Sequence, residues 1–344
     1  MLEWYTVGVD YLQSMQVTES LLRFLLERLE LAPTLSFRGL GYLEADTPLL
    51  APFLIPEASL EVFRTRGARA GTVPSELYLI PSPELWLKRL LAEGSGSLFQ
   101  LGRCFRNHEP ASPLHEPEFT MLEWYTVGAD CLQSMKVTES LLAYLLDGLE
   151  LAPTLSFRGR KLDCRGPFRR LSMAQAFRDS LGLELGELSA LEDLRERARS
   201  LGVLVAAGDS WADLFHKLFL SFVEPGLPAD RPLLLFDFPA AVPTLARRKP
   251  GTPWAERWEL YLAGIELANC YTEATDPQQV ADFFRAQSEA KKEALEAHRV
   301  DRDLERILSE RLPPCSGVAL GVDRLLMILL ERDSVAEVNA FALS

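Results

Sequence analysis

Three stretches of the chain carry side chains able to hold a phosphate and an amine together. Residues 102–125 read GRCFRNHEPASPLHEPEFTMLEWY, with Arg106 closing one apolar-alternating run and Glu109, His115 and Glu118 in the proline-punctuated loop beyond it. A guanidinium grips phosphate or carboxylate oxygens through a rigid fork, and neighbouring carboxylates can meet an ammonium. Residues 254–276 hold Glu266, Asn269 and Glu273, which taken alone read as polar groups on the solvent side of a sheet. Residues 315–330, CSGVALGVDRLLMILL, set small residues before an Asp-Arg pair and an apolar helical run. That pattern lets backbone approach a ligand closely at a helix start. His216 sits among apolar neighbours and reads as a helix-face histidine, not a catalyst.

The elements that must position these groups are legible from periodicity. Leu98 to Phe105 and Phe119 to Val127 alternate as two strands of a long antiparallel hairpin. Residues 79–92, LIPSPELWLKRLLA, read as strand, turn and helix, with Ser82 as cap, Pro83 at the first helical position and Glu84 in the first turn. GYLEADTP is a strand ended by Thr47-Pro48. Residues 132–150, the segment LSMAQAFRD, the acidic segment 183–200 and residues 209–227 are expected to be helices. From 231 the pattern returns to strands, 254–276 forms two that pair, and 278–312 is expected to be a solvated helix covering the sheet.

The chain has 344 residues, 48% hydrophobic and 25% charged, enough for a large core. No apolar run approaches the roughly 20 residues of a membrane span, and the start lacks a signal-peptide pattern, so a cytoplasmic protein is expected. The five cysteines are scattered without CxxC spacing, which speaks against structural zinc and disulfides. A net charge of −13 argues against a large RNA partner.

Residues 1–39 nearly copy residues 121–159, differing only at Val9/Ala129, Tyr11/Cys131, Gln16/Lys136, Arg23/Ala143, Phe24/Tyr144, Glu27/Asp147 and Arg28/Gly148. The expected division is a duplicated segment, 1–39, and one catalytic domain, 40–344. Within the former, 1–15 is expected to be poorly ordered for want of a pairing strand, and about 19–31 to be helical.

FRN, its loop and HEPEFTMLEWY are similar to motif 2 of class II aminoacyl-tRNA synthetases. GYLEADTP resembles the end of their motif 1, and CSGVALGVDRLL resembles motif 3. SPELWLKRLL and GIELANCYTE resemble the lysyl branch, including its shortened members that attach lysine or (R)-β-lysine to elongation factor P. The resemblance implies an α+β fold, a mostly antiparallel sheet flanked by helices, and a homodimer built through motif 1. It implies an ATP-dependent ligase that forms an aminoacyl-adenylate. Arg106, Arg324 and Glu266 would be catalytic. Ser82, Glu84, Glu123, Tyr125, Asn269, Glu273 and Ala319 would bind the amino acid. Arg106, Asn107, His108, Glu109, Glu116, Glu266, Leu267, Gly321 and Arg324 would bind ATP, with Mg²⁺ on Glu266 and Glu273.

Only a short, copied segment precedes motif 1, where a lysyl-tRNA synthetase carries an anticodon-binding barrel. The expected acceptor is therefore elongation factor P and not tRNA. A truncated tRNA-charging enzyme and a non-catalytic regulatory paralogue are the alternatives. Departures from the family pattern are His108 in a glutamate's place, Glu116 in an asparagine's and Cys270 in a glycine's. A register shift in the loop would return Glu109 to the adenine.

Overall fold

The computed structural model describes residues 37, 40–67, 75–188 and 190–342. The expectations for residues 1–15 and 19–31 lie outside them. In chain order the first strands are β1 (Leu43–Glu44), β2 (Leu50–Ala51), β3 (Arg64–Gly67) and β4 (Ser75–Leu79), followed by helix α1 (Glu84–Ala92). The hairpin is β5 (Leu98–Phe105) and β6 (Glu118–Val127), and α2 (Cys131–Gly148) follows it. Next come β7 (Thr154–Phe157), β8 (Arg160–Asp163), β9 (Arg169–Ser172), α3 (Met173–Leu181), α4 (Leu191–Ser200) and α5 (Trp211–Leu218). The remainder is β10 (Leu233–Pro239), β11 (Trp254–Leu262), β12 (Ile265–Thr272), α6 (Pro277–Ala290), α7 (Arg302–Glu310), β13 (Cys315–Gly321) and α8 (Val322–Leu329).

Eight strands form one sheet in the order β1-β5-β6-β13-β12-β11-β10-β9. Its pairings are antiparallel except at the two ends, where β1 runs parallel to β5 and β9 parallel to β10. The β11–β12 connection is a two-residue turn, Ala263-Gly264, with left-handed φ of 56° and 79°, the geometry that matches strand twist. Smaller sheets pair β2-β4-β3 and β7-β8.

Strand alternation decides which side of the sheet becomes core and which becomes cavity. In β13, Val318 and Leu320 are buried with Leu122, Trp124 and Trp258, against α2 and α8. The intervening Gly317, Ala319 and Gly321 face the other way and line a groove. Small side chains there leave room that valine or leucine would fill. Phe37, inside the copied segment, is 1% exposed and packs on Phe99 and Trp124. A domain boundary at 39/40 therefore cuts into the core.

Local departures have physical causes. Segment 278–312 is two helices, not one; α6 buries Phe283 and Phe284, and Lys291 at its end is buried too. In the acidic segment only Leu191–Ser200 is α-helical, after a 3₁₀ turn at Leu185–Glu187. The 209–227 helix widens into a π turn at Phe219–Val223. Helix α1 begins at Glu84, one residue later than the reading, with Pro83 before it; Ser82 Oγ still accepts from Glu84 N–H at 3.2 Å.

Candidate active site

The groove over the sheet has two connected ends. A strongly polar end of about 290 Å³ is lined by Ser82, Glu84, Glu123, Tyr125, Tyr271 and Glu273. A wider end of about 660 Å³ is lined by Glu109, Glu116, Glu266, Leu267, Gly321 and Arg324. Glu57, Arg106, Met121, Arg257, Asn269 and Ala319 are among the residues that line both, so they mark the junction. Strand ends explain why Arg106 is there: it follows β5 directly, and its guanidinium lies over the Phe119 ring at 5.1 Å.

A bulge lets β12 serve both ends. Leu260 pairs with Ala268 but Tyr261 pairs with Glu266, so Leu267 is the extra residue. Without it Glu266 and Asn269, three apart, would point to opposite faces; with it both reach the cavity. Beyond the bulge, Asn269, Tyr271 and Glu273 keep strict alternation and face the polar end.

At the polar end, Lys88 is completely buried (0% exposed), with Nζ 2.5 Å from Glu84 Oε1 and 2.7 Å from Glu273 Oε2. Tyr271 O–H donates to Glu84 Oε1 at 3.1 Å, and Tyr125 O–H to Glu123 Oε1 at 2.7 Å. Burial alone would lower the Lys88 pKa, but Glu273 and Glu84 outweigh it and hold the ammonium protonated. The carboxylates outnumber their cations. Burial, then Glu84, pushes Glu123 up to about 8, and burial also raises Glu273, with Glu84 opposing Lys88. Glu123 Oε2, Asn269 Oδ1 and Arg106 Nε are buried without a hydrogen-bond partner among the described residues. A polar pocket of this kind has a deficit of positive charge that a bound ammonium would meet.

At the wide end, Arg324 is held in place by three partners. It donates to Leu114 O (3.2 Å) and Glu266 O (3.0 Å), and its Nη2 lies 2.9 Å from His115 Nε2. Glu266 is pushed up to about 7 by burial and then by the nearby Glu259. Glu259 in turn is 2.7 Å from Arg257 Nη2 and accepts from Tyr261 O–H at 2.9 Å.

The structure brings together most of the residues singled out above, with two corrections. His108 is exposed with a left-handed φ of 54°, and neither it nor Asn107 lines the cavity. The left-handed residue turns the chain so that Glu109 faces inward instead. Glu273 is separated from Glu266 and paired with Lys88, so the two do not form one oxygen cluster; Glu259 is the carboxylate beside Glu266. His216 is on the exposed face of α5 with its ring edge-on to Phe215 at 5.3 Å, a helix-face histidine as read, and it also lines the polar end.

The sequence reading missed Lys88, Tyr271, Glu259 and Glu57. Lys88 had a signal: at i+4 from Glu84 it must share a helix face with it. Tyr271 lies between Asn269 and Glu273 in strict alternation and could have been found the same way. Glu57 had none, being in an irregular segment.

The Gly317 position adds a test. A Cβ there would meet the Tyr125 ring and come within 3.0 Å of Glu273 Oε1. Gly317→Ala is expected to displace Tyr125 and cost about 1–3 kcal/mol of stability, measured by urea unfolding, while weakening amino-acid binding in calorimetry.

The antiparallel sheet, the flanking helices and a cavity crossing between β6, β13 and β12 define the catalytic fold of class II synthetases. The family described as tRNA synthetases class II (D, K and N) matches residues 34–344, and this chain belongs to it. It is 38% identical to the elongation factor P–(R)-β-lysine ligase of Photorhabdus laumondii subsp. laumondii, over 90% of each chain. Identity to the ligase of the same name from Yersinia enterocolitica is 39%, over 89% of this chain and 90% of that one. It is also 36% identical to the lysine–tRNA ligase of Chloroflexus aurantiacus over 88% of this chain, but it spans only 60% of that relative's length.

Proposed function

We propose that this chain activates lysine or (R)-β-lysine with ATP and transfers it to a lysine side chain of elongation factor P. The observation that carries the reading is Arg106 at the junction between an acid-rich pocket and a larger cavity containing Arg324. In the first step a substrate carboxylate oxygen attacks the α-phosphorus of ATP, forming the acyl-phosphate bond and releasing pyrophosphate. In the second, the neutral amine of the acceptor lysine attacks the acyl carbon. The amide forms, AMP leaves, and the amine's proton is lost to solvent. Neither step needs a protein nucleophile; both need alignment and charge neutralisation.

Arg106 would hold the reacting carboxylate and α-phosphate together, and Arg324 the distal phosphates. Glu84, Glu123 and Glu273 would meet the ammonium groups, with Tyr125 and Tyr271 completing the polar wall. Mg²⁺ bound with ATP would supply charge neutralisation at the phosphates, and Glu266, Glu259 and the unpaired Asn269 Oδ1 are the hard oxygen donors that suit it. Among the described residues no group of three or more His, Cys, Asp or Glu side chains could hold a metal ion. Phosphate oxygens and water would thus complete the coordination.

No helix among the described residues is long and apolar enough to cross a membrane. A homodimer belongs to the same reading. The exposed Leu40, Leu43, Leu49, Leu50 and Phe53 are the apolar surface it would cover, and sedimentation velocity checks it.

Incubating the protein with ATP and lysine or β-lysine, and with either elongation factor P or tRNA, tests the acceptor. The expected product is a mass increase on the factor; efficient tRNA charging with an unmodified factor would reverse the choice. The pocket also predicts a pH dependence. A bound ammonium favours ionised Glu123 and Glu273, whose pKa values burial raises in the free protein. Binding must then release protons, and affinity should rise between about pH 6 and 8.5. Calorimetry in buffers of different ionisation enthalpy checks both the sign and the proton count.

A further inference from the structure

We propose that Glu57 recognises the substrate amino group nearest the reacting carboxylate, and so sets which diamino acid the enzyme accepts. The assignment rests on the adenylating reading above and deepens it. The reacting carboxylate must lie where Arg106 can reach it, at the junction of the two cavity ends. An α- or β-amine is only one or two carbons from that carboxylate, so its ammonium must lie in the same place. The distal amine of the substrate is the one that extends toward Glu123 and Tyr125.

Glu57 lines both ends of the cavity beside Arg106. Among the described residues its carboxyl group makes no ion pair or hydrogen bond; it senses Glu84, Arg106, Lys88 and Lys291 only through their charges. The two lysines are committed elsewhere, Lys88 to Glu84 and Glu273, and Lys291 to Leu60 O and Glu61. The remaining cation, Arg106, is the one assigned above to the reacting carboxylate and α-phosphate, so a carboxylate in this position without an ion pair among the described residues is matched by a cationic ligand. Burial, followed by the Glu84 charge, pushes Glu57 up to about 7, in keeping with an acid lacking its counter-charge.

Its segment is also held rigidly to the strand end that bears Arg106. Ala58 N–H donates to Gln287 Oε1 at 2.9 Å, and Lys291 Nζ donates to Leu60 O. The Glu61 carboxylate accepts from Leu295 and Glu296 N–H at 2.9 and 3.0 Å. Asn107 N–H donates to Glu61 O at 2.9 Å, next to Arg106. The segment bearing Glu57 is thereby tied to the strand end bearing Arg106 by hydrogen bonds to its backbone and to the Glu61 carboxylate, a fixed spacing of the kind that measuring an amine against a carboxylate requires.

The test titrates lysine, (R)-β-lysine and 6-aminohexanoate into wild-type and Glu57→Gln protein by calorimetry. The last compound keeps the carboxylate and the distal amine but lacks the near one. Glu57→Gln is expected to weaken whichever diamino acids bind wild type by about tenfold or more, and to leave 6-aminohexanoate within about twofold. Retained 6-aminohexanoate binding also shows that the variant is folded. Equal weakening of all three compounds, or unchanged binding of the diamino acids, would overturn the assignment, as would failure of wild type to bind any diamino acid. ATP–pyrophosphate exchange on wild type is measured in parallel. If exchange is absent while Glu57→Gln still removes discrimination, the adenylating reading fails and the Glu57 assignment survives.

Discussion

Replacing Arg106 with alanine is expected to lower lysine-dependent ATP–pyrophosphate exchange by about a thousandfold, mostly in kcat. Arg106 lies at the junction of the two cavity ends, with a buried Nε that no described protein atom satisfies and a guanidinium laid over Phe119. Charge builds on the phosphate and carboxylate oxygens there as the new bond forms, so a donor aimed at that point stabilises the transition state more than the bound substrates. Arg106→Lys keeps the charge but loses the fork and the stacking, and should recover only a small part of the rate. Because Arg106 makes no ion pair with the described residues, folding should change little, which a thermal unfolding scan checks. A fall of less than about tenfold would move the reaction away from this arginine.

Lys88→Met is expected to cost about 3–5 kcal/mol of folding stability near pH 8. The side chain is fully buried, and its removal strands Glu84 and Glu273 in a pocket that also contains Glu123. The sign of the pH dependence follows from linkage. In the variant, the pocket carboxylates hold their protons to higher pH when folded than when unfolded, so the folded state binds more protons between the two values. Stability must then fall as pH rises through that window, and the deficit at pH 6 should be smaller than at pH 8.5. Urea midpoints of wild type and variant at both values test this. A deficit independent of pH would mean that Lys88 acts through packing and not through charge.

How far the site was legible depended on the kind of backbone carrying it. Leu98–Phe105 was read to the residue and its partner to within one, because a half-buried antiparallel pair imposes alternation on composition. Glu123, Tyr125, Ala319, Gly321 and Arg324 could be picked out because they repeat a family pattern on regular elements. In the loop between the strands the reading failed at Asn107 and His108, since no periodicity distinguishes a residue facing a ligand from one facing water. Only the left-handed turn at His108 decides that Glu109 is the one facing inward.

The sequence by itself determined the class of fold, the hairpin at its centre, the small residues that floor the cavity and the arginines that flank it. These are local or periodic properties, encoded where they act. The tertiary structure alone decided which charges meet. A bulge at Leu267 turns Glu266 to the cavity face beside Glu259, while Glu273, seven residues further along the chain on that same face, pairs with Lys88. Glu57 came to Arg106 through Glu61 and Asn107, across a separation no spacing rule spans. Pairing of buried charges depends on distances of a few ångströms between distant segments, and such distances exist only once the chain has folded.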